Sequence, residues 1–463
     1  MRTERPYTAT RNACKMCTPL GAALAFHGVE KSVPLLHGSQ GCSTYMRRYL
    51  ISHFKEPVDI ASSNFSEETA VFGGGANLKQ AIENVNRQYR PAMIGIATTC
   101  LSETIGDDVP MILGGMDSEP DGAALVHVST PSYTGTHTDG FHRAVAAMVD
   151  RFNPVTVHNP GKGKTINLFP GMLSNEDIRH LKGIFRDFKI PCVILPDYSE
   201  RLEGPPWQEY QAIQEGGTPI SAIEKMNMAA HSLELGAILA LTAEKEAEAG
   251  KQHASAGAIL NQRFDIPVTR MPVPIGVKAC DRFFETLSRI TGNPIPEKYQ
   301  KQKWRLVDAY VDGNKYLSGK RAVIYGEEDF VVSLAGFLAE TGIIPVIVAS
   351  GGKSGFLEQA LRKTLPGPVF NQVGIREDMD FARMEEKAAP LNPDLVIGNS
   401  KGYAMARHLN IPLVRVGFPI HDRVGGPRVL HIGYNGAQQL FDTIVNAILS
   451  NRQTTSDVGY SYM

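Results

Sequence analysis

With 47 Lys and Arg against 48 Asp and Glu in 463 residues, the chain has a formal net charge of −1, which gives it no overall attraction to nucleic acid or to an anionic membrane. Its 43% hydrophobic and 21% charged residues fit a globular protein, and its length exceeds one ordinary core, so two to four domains are expected. No run approaches the ~18 apolar residues of a membrane span, and residues 1–6 lack the apolar core of a signal peptide, so a cytoplasmic protein with neither nucleic-acid nor membrane partners is the expectation.

Residues 1–18 show little periodicity and read as an extended arm leading to Cys17, of the kind that crosses to a partner subunit. Residues 20–26 form a helix of small side chains able to pack tightly against a sheet. Residues 77–89 carry Leu78, Ile82 and Val85 at helical spacing, and the apolar run 93–97 that follows reads as a buried strand closed by Cys100. Ser102-Glu103 with Gly106-Asp107-Asp108 then opens a new element. A second strand at 124–128 leads to Ser129-Thr130-Pro131-Ser132, and 141–152 is the next helix. This βα alternation predicts a parallel sheet with helices on its faces, and it places Cys100 and Ser132 at neighbouring strand ends, where such sheets hold ligands.

Gly161-Lys162-Gly163-Lys164-Thr165 imitates a phosphate loop, but the pattern needs glycine where His158 stands and should follow a strand rather than precede one. It reads as an interdomain linker. A second α/β unit has strands at 165–169 and 192–195 around a helix at 175–188, then a Gly- and Pro-rich loop, a strand at 236–241 and a helix at 255–264. Residues 297–317 form one long helix, with Trp304, Val307, Tyr310, Val311 and Leu317 as an apolar stripe expected in the core. A third unit has strands at 322–325, 344–348, 395–397 and 413–416. Within it Gly351–Gly355 reads as a plain turn, and His421-Asp422-Arg423 as a structural ion-pair cluster. The fold class is therefore α/β, three Rossmann-like units with parallel sheets flanked by helices, over residues 1–160, 161–295 and 296–463.

Six cysteines, at 14, 17, 42, 100, 192 and 280, are too few and too unevenly spread for a secreted disulfide framework, so reduced thiols or metal ligation are expected. Cys192 reads as a core strand position. Cys17, Cys42 and Cys100 each sit at a loop edge among small residues, and Gly41 lets the backbone beside Cys42 crowd a bulky group. Each taken singly reads as a buried small hydrophobe. Together they point to an iron–sulfur cluster, for which thiolate is the usual ligand. Three cysteines leave one ligand to find: Cys14, a non-cysteine residue or, the favoured source, another chain.

The segments Pro19-Leu20-Gly21-Ala22, His37-Gly38-Ser39-Gln40-Gly41-Cys42, His53-Phe54-Lys55-Glu56-Pro57, Ala70-Val71-Phe72-Gly73-Gly74, Thr98-Thr99-Cys100-Leu101-Ser102-Glu103 and Thr130-Pro131-Ser132-Tyr133-Thr134-Gly135 resemble the β-type subunit of nitrogenase component 1 and its paralogues. Gly292-Asn293-Pro294-Ile295-Pro296, Val396-Ile397-Gly398-Asn399-Ser400 and Val416-Gly417-Phe418-Pro419-Ile420-His421-Asp422-Arg423 look most like NifN, the β-type subunit of the NifEN scaffold for cofactor assembly. The resemblance covers nearly the whole chain. It implies an α2β2 complex with a NifE-like α-type partner and an encounter with the nitrogenase iron protein. It also implies an iron–sulfur cluster, 4Fe–4S or P-cluster-type, at the interface with that partner. Cys17, Cys42 and Cys100 would be the metal ligands and Ser132 the serine beside the cluster, with an iron–molybdenum cofactor precursor in the partner. On that reading the chain is a non-catalytic part of a scaffold. Many scaffold chains of this type have lost the first and third of these cysteines, whereas this sequence keeps all three and the serine. The resemblance therefore also implies the alternative of a β subunit in a nitrogenase or nitrogenase-like reductase, relaying electrons through a P-cluster-type centre.

Overall fold

The computed structural model describes residues 12–114, 116, 122–155, 163–206, 209–248 and 255–457. Three sheets, each entirely parallel, carry the chain. The first contains β1 (Ser32–His37), β2 (Ala61–Ser62), β3 (Met93–Thr98) and β4 (Ala124–Val128) in the order β2-β1-β3-β4. Around it lie α1 (Thr18–His27), α2 (Gln40–Phe54), α3 (Cys100–Ile105) and α4 (His137–Phe152). The second sheet has the order β6-β5-β7-β8, from β5 (Ile166–Phe169), β6 (Cys192–Ile194), β7 (His231–Leu235) and β8 (Val268–Met271), with α5 (Asn175–Asp187) and α6 (Ala237–Glu248). Helices α7 (Val277–Thr291) and α8 (Glu297–Leu317) lead to the third sheet. That sheet, ordered β11-β10-β9-β12-β13, is built from β9 (Arg321–Tyr325), β10 (Ile344–Ala349), β11 (Gly374–Arg376), β12 (Leu395–Gly398) and β13 (Leu413–Arg415). It is flanked by α9 (Glu328–Glu340), α10 (Leu357–Thr364) and the C-terminal α11 (Gly433–Thr455). Three α/β units with parallel sheets are thus present. Every residue of β1 and β3 is buried, as a sheet covered on both faces requires.

One apolar cluster runs through all three units. At its centre Tyr198 meets Phe54 and Phe141 at ring separations of 6.2 and 6.4 Å, and Phe54 meets Phe418 at 6.4 Å. Buried polar ties lock the seams. Arg201 donates to Val29 O and Ser32 Oγ, both at 2.7 Å, joining the second unit to the first. Asp177 on α5 accepts from the His431 amide at 2.7 Å and pairs with its Nδ1 at 2.8 Å. Burial alone would raise the Asp177 carboxyl, but His431 and Ser174 outweigh it and hold the group below its ordinary value. At the end of α2, His53 Nδ1 accepts from the Ile420 amide at 2.9 Å.

Three expectations differ from the structure. The strand expected at 236–241 is the start of α6, and the true strand, β7, ends just before Gly236. A short all-apolar run does not distinguish a buried strand from a buried helix. Along α8, Trp304 and Val311 are 66% and 72% exposed rather than core, because the buried face is the neighbouring one of Tyr299, Leu306, Gly313 and Leu317. There Gly313 lies against Phe441 of α11. Cys42, expected in a loop, is in the first turn of α2. Of the linker at 161–165, residues 161 and 162 fall outside the described residues, as do residues 1–11 of the arm, while Gly163 and Lys164 are exposed and the Gly163 amide donates to Met228 O at 2.6 Å. The described part of the arm lies along the third unit of its own chain: the Cys14 amide donates to Met379 O at 3.1 Å, and Phe381 N to Asn12 O at 3.2 Å. Asp422 forms its ion pair mainly with Arg415, at 2.6 Å, with Arg423 at 3.6 Å.

Burial holds the His53 imidazole neutral, at a pKa of about 3. A histidine whose pKa is depressed by folding adds stability that is complete above its unfolded value near 6.5 and is lost as pH falls toward the folded value. The urea midpoint of the wild-type chain is therefore expected to fall progressively from about pH 6.5 toward pH 4. In a His53→Gln variant that pH slope should be shallower, and an unchanged slope would contradict the assignment.

Candidate metal-cluster site

The first sheet aligns its strand ends by register, His37 of β1 lying opposite Thr98 of β3. A net of hydroxyls fixes the loops that follow. Thr130 Oγ1 donates to Thr98 O at 2.6 Å and the Thr130 amide to Thr98 Oγ1 at 2.8 Å, so the end of β4 is stapled to the end of β3. Ser102 Oγ donates to His37 O at 2.8 Å, tying α3 back to β1. Cys100 is thereby held as the first residue of α3. The Ser132 amide donates to Cys100 Sγ at 3.2 Å. The expectation that Cys100 and Ser132 emerge side by side holds.

Cys17 reaches the same place by another route. It is the N-cap residue of α1, a helix whose ten residues are all buried. Helices α1 and α4 cross backbone against backbone: a β-carbon on Gly21 would stand 1.6 Å from His137 O, and one on Gly140 1.9 Å from Thr18 O. The Met16 amide donates to His137 Nδ1 at 3.3 Å, and the His137 amide to Met16 O at 3.1 Å. The crossing sets the Thr18 amide 3.2 Å from Ser132 Oγ. Ser132 thus bridges Cys17 and Cys100, accepting beside one and donating to the other. Cys42 enters from α2, whose first turn is capped by Ser39 Oγ accepting from the Gly41 amide at 3.3 Å. Each of the three cysteines opens a helix, where first-turn amides lack intrahelical partners.

Cys17 and Cys42 are half-buried and Cys100 is exposed. The Cys42 thiol is raised above its ordinary value by partial burial and then by the adjoining Cys17 and Cys100 sulfurs. The effect of those two sulfurs on Cys42 places it within electrostatic reach of both, and a cationic centre among the three would favour its thiolate. Among the described residues no three His, Cys, Asp or Glu side chains close around a point fit for a single metal ion.

The other cysteines are elsewhere. Cys14 is buried in the core of the third unit beside Tyr325 and Met379, and burial pushes its thiol up to about 12. Cys280, buried in α7, donates to Pro274 O at 3.2 Å. Cys192 is half-buried on the edge strand β6. The residues that sequence reasoning missed are the positioning ones: Gly21, Gly140, Thr98, Thr130 and His137. The small-residue run around Gly21 was the only local sign of a close crossing.

Residues 17–449 match the sequence profile of the Nitrogenase component 1 type Oxidoreductase family. The chain belongs to that family. The nitrogenase molybdenum-iron protein beta chain of Clostridium pasteurianum is 35% identical over 441 residues, covering 95% of this chain and 93% of the relative. The beta chain of the same name from Azotobacter vinelandii is 32% identical over 456 residues, covering 95% and 84%. A solved structure described as Nitrogenase Cp1 at pH 6.5 superposes with a TM-score of 0.91 at 33% identity, covering 100% of this chain and 98% of that one. A second solved chain, from Nitrogenase Cp1 at pH 5, gives a TM-score of 0.69 at 17% identity and shares the fold alone. The chain is a β-type subunit of a nitrogenase component 1 type protein.

A methyl group at the glycine crossing has no space to enter. Gly21→Ala should overpack α1 against α4, cost at least the ~1–3 kcal/mol usual for overfilled cores, and lower the thermal midpoint. Gly183→Ala on α5, with nothing within 4 Å of the new carbon, should leave the midpoint unchanged or slightly raised. Equal tolerance of both variants would contradict the crossing.

Proposed function

We propose that this chain supplies Cys17, Cys42 and Cys100 to an iron–sulfur cluster shared with an α-type partner subunit, with Ser132 held beside it, and that the chain serves as the β subunit of a nitrogenase-type reductase. The observation that carries the reading is that Ser132 accepts from the Thr18 amide, next to Cys17, and donates to Cys100 Sγ, both at 3.2 Å, with the Cys42 thiol raised by burial and then by the other two sulfurs. Sulfur donors of this kind suit iron, and a multi-iron cluster is met by thiols that do not converge on one point. Bound there, the cluster would supply one-electron transfer between an ATP-driven iron protein and the partner's active site.

The chain's own contribution is binding and shape. Ser132 fixes its two neighbours through its amide and hydroxyl. The hydroxyl net of Thr98, Thr130 and Ser102 fixes the loops, and the Glu103 carboxylate anchors it by accepting from Thr98 Oγ1 and from Ser129 Oγ at 2.6 Å. Tyr45, Leu101 and Tyr133, within three residues of Cys42, Cys100 and Ser132 respectively, expose 42%, 37% and 65% of their surface, a chemistry suited to burial under a partner. Membership of a family whose relatives are molybdenum-iron protein beta chains supports an α2β2 assembly in which that partner completes the cluster. Retention of all three cysteines and the serine favours the larger P-cluster-type centre over a 4Fe–4S one.

The scaffold role is the second reading, favoured by the NifN-like segments 396–400 and 416–423. In the structure these segments serve packing: Asn399 Nδ2 donates to Phe418 O at 3.0 Å, and Ser400 Oγ bonds Asp422. Their chemistry is compatible with either role.

Two measurements test the proposal. Iron and sulfide should be present in the anaerobically purified complex with its α-type neighbour. Cys42→Ala should lower the iron by at least half, while Cys192→Ala leaves it unchanged; an iron-free wild-type complex would end the cluster reading. Reduction of acetylene or dinitrogen by that complex with an iron protein and ATP is the expected result for the reductase role. Cluster-replete complex without such activity, from a strain whose structural nitrogenase lacks only its cofactor when this gene is deleted, would establish the scaffold role instead.

A further inference from the structure

A cavity of about 310 Å³ lies between the second and third units, away from the cysteines. Its walls come from α6, the segment after β8, α7, α9 and α10. The space exists because the facing positions carry Ala240, Ala279, Gly336, Ala339 and Ala360, side chains too short to meet across it, whereas protein interiors normally pack without gaps of this size. At ~30 Å³ per water, it has room for roughly ten non-hydrogen atoms.

Two polar features separate it from a packing flaw. Ser333 on α9 lines the cavity, is 3% exposed, and its hydroxyl has no hydrogen-bond partner. Buried hydroxyls are nearly always paired, and this one stands in the cavity wall without a partner from the chain. The border of the cavity is also cationic. Of its charged residues, Arg270 is neutralised by Glu234 at 2.7 Å, and the Glu340 carboxylate is occupied by the amides of Val277 and Lys278 at 2.7 and 2.9 Å. The remaining charges are Lys278, Arg282 and Lys363, all exposed, against Glu244 and Glu340, whose bonds to amides leave its charge in place, so cations outnumber acids three to two.

We propose that this cavity binds a small organic carboxylate with an apolar body of about ten non-hydrogen atoms in total. The aliphatic part covers the alanine and glycine walls, the anion is drawn by the cationic border, and Ser333 donates its unpaired hydrogen bond to the ligand. Nothing in this proposal requires the cluster, and its test reads heat rather than turnover, so it stands or falls separately from the reductase assignment.

The test is isothermal titration of the full chain in its purified complex with octanoate and, in parallel, with 1-octanol. Octanoate is expected to bind saturably at one site per chain of this type, and octanol at least tenfold more weakly. Ala240→Trp, which fills the cavity, should abolish octanoate binding. The double substitution Arg282→Gln with Lys363→Gln, at exposed positions that do not threaten folding, should weaken octanoate at least tenfold and leave octanol unchanged. Absence of saturable octanoate binding, equal affinity for octanol, or indifference to the double substitution would each overturn the proposal.

Discussion

Everything at the cysteine site depends on two helices touching backbone to backbone. Gly21 and Gly140 remove the side chains that would hold α1 and α4 apart, and the carbonyls of His137 and Thr18 occupy the vacated space. Because α1 is buried along its whole length, it has no free face toward which to shift. The contact is local, but its effect is long-range: it carries Cys17, from the start of the chain, to a serine more than a hundred residues later. The sheet then supplies the remaining alignment, since parallel strands in register end together and deliver Cys100 and Ser132 to one edge.

Charge explains why these thiols differ from the others. Cys14 and Cys280 sit in dry cores where burial keeps a thiol protonated, and a protonated, enclosed sulfur is a packing group. Cys17, Cys42 and Cys100 are part-exposed, the Ser132 amide donates to Cys100 Sγ, and Cys42 is raised by partial burial and then by the other two sulfurs. A cationic centre bound among these sulfurs would offset that rise and favour the thiolate. The hydroxyl net, anchored on the Glu103 carboxylate, adds hydrogen-bonding rigidity around them.

Much of this was legible in the sequence, and the remainder was hidden for physical reasons. The βα alternation predicted the pairing of Cys100 with Ser132 because strand order in a parallel sheet follows from short connections. Strand β1 was missed because Pro34, which removes a ladder donor, argues against a central strand, yet β1 lies between β2 and β3. Without β1, the placement of Cys42 in the first turn of α2 was out of reach. The convergence of Cys17 with the others rests on the α1–α4 crossing, a contact between distant segments that periodicity does not encode. Trp304 and Val311 were read as core because aromatic and branched side chains at helical spacing suggest it, while the face of α8 actually buried centres on Gly313, chosen to admit Phe441. The family resemblance, by contrast, implies the three cysteines and Ser132 as one set, since it carries long-range pairing that spacing does not.

The most direct test of the central claim is anomalous diffraction at the iron edge from crystals of the anaerobic complex with its α-type partner. The account predicts iron peaks within bonding distance of Cys17, Cys42 and Cys100 and in contact with the partner's surface. Iron-loaded crystals in which these three sulfurs are metal-free, or turned toward solvent with no partner against them, would contradict it.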